Sequence, residues 1–213
     1  MQLRNRLLSV VLLSRPQLLG VALLAAAVAV PTIAHAADAV GAFKAKHEAV
    51  VKLVKDNADD AKLQAEVDSL LDYDWIATQS LGGADNFANV CGGRCDEFEA
   101  LLSQLIRENY LRMVRKAEKH PVEYVGQVEG KNGAYKVTTK IKVDKNGREQ
   151  TVVVEYVMNH LPDGKWQVRD IITDEVSLAK TYRYEFNKIA KGEGIDGIIS
   201  KLEDKLQKLD AGT

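Results

Sequence analysis

The sequence predicts an α+β domain behind an export signal, and three observations carry that reading. A basic N-terminus runs into a short apolar stretch and then a small-residue cut site. Helical periodicity fills the first half of what remains. Beyond residue 121 the apolar period drops from 3.6 to 2 over four successive segments, and helical spacing returns at the end.

The signal comes first. Arg4, Arg6 and Arg15 precede "LLGVALLAAAVAV" (18–30), Pro31 breaks it, and Ala34-His35-Ala36 offers small residues where a signal peptidase reads. The run of 13 residues is shorter than the roughly 20 that a spanning helix needs. Residues 1–36 are therefore expected to be a signal peptide and 37–213 a single domain. Ala37 rather than Cys follows the cut, which argues against a lipoprotein.

The mature chain has 177 residues, enough to bury about 70% of its unfolded surface around one core. With 26 basic against 30 acidic residues its net charge is near −4, so no nucleic-acid footprint is expected. Cys91 and Cys95 sit in "CGGRC". Export implies an oxidising compartment, and no third cysteine competes, so the two are expected to form a disulfide closing a five-residue loop. His47, His120 and His160 are scattered without metal-ligand spacing, and no metal is expected.

Each element follows from its pattern. Val40, Phe43, Val50, Val51 and Val54 stripe a first helix, and "DNADD" (56–60) breaks it. Leu63, Val67, Leu70 and Leu71 stripe a second. Asp74 can cap a short third helix, "WIATQSLG", that Gly82-Gly83 ends. After the cysteine loop, Asp96 can start a long helix with Phe98, Leu102, Leu105 and Met113 on one side, stopped at His120-Pro121.

Four strands are expected at 122–128, 134–143, 151–158 and 165–172, with Asn146-Gly147 and "LPDG" (161–164) as turns. Consecutive hairpins make the sheet antiparallel. The alternation covers one face and leaves Lys136, Lys140 and Lys142 on a wet one, a candidate docking row. Val176, Leu178, Tyr182, Phe186 and Ile189 stripe one closing helix, and Ile195 to Leu209 a second beyond Gly192 and Gly194. The expected architecture is a four-stranded antiparallel sheet, with helices before and after it packed on one face and enclosing an apolar cavity.

The chain carries no phosphate loop, zinc-protease pair or nucleophile elbow. Ser177 reads as a helix cap and Asp174 and Glu175 as charges favoured at a helix start. Asp170, sharing an alternation with Trp166 and Val168, is the one carboxylate expected to be buried. It leaves an alternative reading: an isomerase-like enzyme on a cone-shaped α+β scaffold, with Asp170 paired to Tyr156 or Tyr182. A third is an envelope interaction protein with a filled core. Lipid binding fits a site without signature residues, because burial is non-directional and gains about 0.8 kcal/mol per methylene. The expected cavity residues are Val137, Thr139, Val152, Val154 and Tyr156 on the sheet, opposite Phe98, Leu102, Tyr182 and Phe186 on the helices.

The segment 146–206 resembles the MlaC family, also called toluene-tolerance proteins. Trp166 stands four residues before Asp170, then come Val176-Ser177-Leu178, Tyr182-Arg183 and Phe186, and finally "GIDGIISKL" (194–202), the most specific piece. "WIATQSLGG" (75–83) and the helix from Phe98 to Tyr110 are similar more loosely. The chain departs from the family in three places. Glu175 stands where a glycine is usual, Phe87 is the candidate for an aromatic expected after "LG", and the cysteine loop replaces a plain polar connection.

The resemblance implies a non-catalytic periplasmic carrier, a monomer whose apolar pocket hides the acyl tails of a phospholipid and which has no cofactor beyond that ligand. It implies as partners an inner-membrane ABC transporter complex with a lipid-carrying ring protein, and an outer-membrane lipoprotein–porin complex. It also implies a role in outer-membrane lipid asymmetry.

Overall fold

A computed structural model describes residues 38–117, 119–145 and 147–211; the expected signal peptide lies outside them. Four helices open the fold: α1 (Ala39–Lys55), α2 (Asp60–Leu70), α3 (Tyr73–Ser80) and α4 (Ala84–Cys91). The first three start on aspartates that satisfy otherwise orphaned amides. Asp38 accepts from the Gly41 N–H at 2.7 Å, Asp59 from Lys62 at 2.9 Å and Asp72 from Trp75 at 3.2 Å. The cap of α3 is thus Asp72 and not Asp74, because the helix begins two residues earlier than its apolar pattern.

The sequence pattern missed α4, an eight-residue helix between two glycine breaks. A single 3-10 turn, Gly92–Arg94, then feeds α5 (Cys95–Ala117). The Cys91–Cys95 disulfide joins the end of α4 to the start of α5.

The sheet has five antiparallel strands in meander order, not four: β1 (Val122–Glu129), β2 (Ala134–Lys145), β3 (Arg148–His160), β4 (Trp166–Thr173) and β5 (Val176–Ser177). The fifth is only two residues long and folds back through Asp174 and Glu175, at φ 49° and 67°. Positive φ at both turn residues is the geometry of a tight hairpin, usually signalled by Asn-Gly. Here two acidic residues adopt it, so the pattern gave no hint. The last helix, α6 (Leu178–Asp210), starts on Ser177, whose hydroxyl accepts from the Lys180 N–H at 3.1 Å. It is kinked at Gly194, where φ is 64° and ψ −156°.

One sheet face is covered. Val137, Thr139, Ile141, Val154, Tyr156, Met158 and Val168 are buried, as alternation requires. On the other face Lys136 pairs with Glu155 at 2.8 Å and Lys142 with Glu149 at 2.9 Å, so carboxylates offset much of the lysine row. The core holds two aromatic groups. Phe43 of α1 lies over Tyr156, ring centroids 4.0 Å apart, and stacks on His47 at 5.4 Å. Between α4, α5 and α6, Phe98 meets Phe186 edge-on at 5.7 Å, and Phe186 stacks on Tyr182 at 5.4 Å.

Candidate lipid-binding cleft

The site is built by α5, the strands it lies across, and the first turn of α6. Ile106, Tyr110 and Met113 recur along one side of α5 at helical spacing. They face Ile171 and Thr173 of β4, Val176 of β5, and Leu178 and Tyr182 of α6 around a groove of about 280 Å³. A second groove of about 390 Å³ continues along α5 toward Ala117, with Ile141, Val143, Val152 and Val154 as its floor. The two share Asn109, Met113 and Thr173, which makes them one cleft. Together they fall in the roughly 300–1,000 Å³ range of small-molecule sites.

Register explains why β4 offers these residues. Thr173 pairs with Val154 and Ile171 with Tyr156, and directly opposed residues share a face. A bulge between Val168 and Asp170 then breaks the alternation, so Asp170 pairs with Val157 instead. The expected shared face of Asp170 with Trp166 and Val168 is therefore corrected. Asp170 is buried, at 8% exposure, but its carboxylate serves the chain turn: it accepts from Ser177 Oγ at 2.6 Å, Ile171 N–H at 2.9 Å and Ala179 N–H at 3.0 Å. Neither Tyr156 nor Tyr182 is among those donors.

Of the nine residues expected to line a cavity, Val152, Val154 and Tyr182 form cleft wall. Phe98, Leu102, Val137, Thr139, Tyr156 and Phe186 are buried in the core behind it. Thr139 Oγ donates to the Val154 carbonyl at 3.0 Å, which spends its polarity inside the sheet. The helical residues that do line the cleft lie one to three turns further along α5. Met113 was visible in the apolar stripe, whereas Tyr110 and Asn109 carried no signal that separates a wall from a core.

The groove beside α6 has no charged residue in its lining. Cations enter only further along, where Arg112 and Lys116 border the second groove. Arg112 donates to the Leu209 carbonyl at 2.9 Å, at the C-terminal end of α6 where a cation is favoured. Burial, and then Glu185, push the Tyr182 hydroxyl up to about 12.

A separate and more polar cleft of about 400 Å³ lies between α1, the end of α5 and β1, bordered by His47, Glu48, Lys55, His120 and Tyr124. There His47 Nδ1 sits 2.8 Å from the Tyr124 hydroxyl, and burial lowers the imidazole to about 4, so it is neutral. No group of metal-ligating side chains is found among the described residues, and no helix among them is long and apolar enough to cross a membrane.

The MlaC protein family matches residues 44–204, three quarters of the chain. The chain belongs to the MlaC family. A solved structure shares its fold at a TM-score of 0.62 and 19% identity, covering 82% of this chain and 99% of that one. That structure is a phospholipid-binding protein from Ralstonia solanacearum in complex with a phospholipid. No curated protein sequence matches. In this MlaC-family chain the cleft therefore sits on the fold that holds a phospholipid in the Ralstonia protein.

Proposed function

We propose that this chain is a periplasmic phospholipid carrier. On this reading it is exported by residues 1–36, matures at Ala37 as one domain, and shuttles lipid between an outer-membrane lipoprotein–porin complex and an inner-membrane ABC transporter with a lipid-carrying ring protein. Family membership and the phospholipid in a protein of the same fold support lipid as the ligand. The observation that carries the reading is the cleft along α5. Its wall beside α6 carries no charge and combines Ile106, Met113, Ile171, Val176 and Leu178 with Asn, Thr and Tyr side chains, and a cationic border follows where a phosphate would emerge.

The physical account is brief. Each methylene moved from water into the cleft gains about 0.8 kcal/mol, with no directional contact required. Met113, shared by both grooves, is unbranched and can fit chains of differing shape. Nothing is asked of an acid–base pair, and the three donors on Asp170 tie it to the start of α6 rather than to a substrate.

The test is organic extraction of protein purified natively, followed by mass spectrometry of the lipid and of the N-terminus. Phospholipid in near-molar proportion, on a chain that begins at Ala37, is expected. Lipid-free protein from a lipid-replete envelope would overturn the carrier, and an intact N-terminus would overturn the signal.

A further inference from the structure

The charge of the lipid cleft sets it apart. Three clefts elsewhere on the molecule mix signs. Glu48 stands with Lys55 and Lys119 in the polar cleft beside α1, and Glu66 with Lys46 and Lys165 between α1, α2 and the β3–β4 turn. On the outer sheet face Glu155, Asp174 and Glu175 stand with Lys136. The cleft along α5 borders Arg112 and Lys116, and neither of its grooves is lined by a carboxylate. That bias runs against a mature chain in which 30 acidic residues face 26 basic ones. Arg112 and Lys116 are four residues apart on α5, hence on one side of the helix and about 6 Å apart along its axis. Arg112 is held in place by its bond to the Leu209 carbonyl, which leaves the guanidinium further N–H groups to donate. Lys116 is exposed and makes no ion pair among the described residues. A helix end favours a cation on its own account, but Arg115, which pairs with Asp60 at 3.7 Å, already meets that need.

We propose that Lys116, with Arg112 beside it, is the specificity-determining residue of this cleft and selects phospholipids whose head group is net anionic, the phosphatidylglycerol class, over zwitterionic ones. This rests on the phospholipid reading and deepens it. Every phospholipid brings a phosphate, and both cations attract it. The head groups differ in what lies beyond that phosphate. A choline or ethanolamine ammonium arrives beside two cations, with no carboxylate lining the cleft to receive it. A glycerol brings hydroxyls and no charge. The selection is therefore made by the missing carboxylate as much as by the lysine. The apolar walls do not contribute to it, because lipids with the same chains bury the same surface in them. Since Lys116 is exposed, the effect has the size of a surface ion pair and is screened by salt.

The experiment incubates the protein with vesicles holding equal amounts of deuterium-labelled dioleoyl phosphatidylglycerol and dioleoyl phosphatidylcholine. The recovered protein is extracted and its bound ratio of the two lipids read by mass spectrometry. Because both lipids share one membrane, attraction of the protein to the vesicle surface cancels from that ratio. Wild type is expected to hold the glycerol lipid roughly two- to fivefold over the choline lipid at low salt, the size of one exposed ion pair. The preference should vanish in about 1 M salt, where the screening length is about 3 Å. Lys116→Gln should lose it at low salt with total uptake little changed, and Lys116→Arg should retain it. Equal uptake of both lipids by wild type at low salt overturns the head-group selection and leaves the carrier standing, as does a preference that Lys116→Gln keeps. Uptake of neither lipid by wild type overturns both.

Discussion

His47 shows how one buried side chain ties this protein's stability to pH. Unfolded, a histidine takes up its proton near 6.5; here burial delays that until about 4. Between those values the unfolded chain holds the extra proton. The stability His47 confers is therefore complete above pH about 6.5 and drains away as pH falls toward 4, on the order of 2–4 kcal/mol in all. The urea midpoint should fall across that window, and His47→Gln should remove most of the difference between pH 6.5 and 4. An unchanged pH profile in the variant would place the titration elsewhere.

Glu175 carries a different cost. At φ 67° it occupies a conformation about 1–2 kcal/mol unfavourable for an L-residue, whereas glycine there loses only about 0.5–1 kcal/mol more chain entropy. Glu175→Gly should raise unfolding free energy by about 0.5–1 kcal/mol, read from chemical denaturation. A loss of stability would show that the glutamate makes a contact worth more than its strain.

At the scale of elements, the disulfide is a staple between α4 and α5. Arg94, inside its loop, forks onto Glu97 at 2.7 Å and also pairs with Asp196, just past the Gly194 kink of α6. A five-residue loop is worth about 2 kcal/mol on the chain-entropy model, so replacing both cysteines with alanine should cost about that much. Hydrogen exchange should quicken first in α4 and around residues 194–198. Unchanged exchange there would make the loop a bystander.

This level is also where the sequence was most and least informative. Helices α1, α2 and α5 and the first four strands were legible because apolar spacing of 3.6 and 2 is imposed by one-sided burial. Strand β5 was not, since two residues show no period; nor was α4, which starts on Gly83 without the capping aspartate that marks the equally short α3. The cleft was legible in part. Val152 and Val154 followed from alternation, but the bulge at Val168–Asp170 shifts β4 by one residue, bringing Ile171 and Thr173 to the wall. Nor does an apolar stripe say whether its residues fill space or border it. Phe98 and Phe186 bury one another, while Met113, on the same helix as Phe98, borders a groove.

For the molecule as a whole, the proposed function requires that an interior packed under α1 and between α4, α5 and α6 is left incomplete along α5, where a lipid completes it. A ligand bound only to the native state adds RT ln(1 + [L]/Kd), so the lipid-free protein should melt lower than the loaded one. Val154 and Val137 separate cleft from core. Both are buried on the same sheet face, but only Val154 borders the groove. A tryptophan at Val137 should overpack the core and cost about 1–3 kcal/mol or more, whereas at Val154 it should occupy space a chain would use. The most direct measurement is native mass spectrometry of wild type beside Val154→Trp, purified identically. A phospholipid mass is expected on wild type and largely lost from a folded Val154→Trp. A variant that keeps its full lipid complement, or a wild type that carries none, would contradict it.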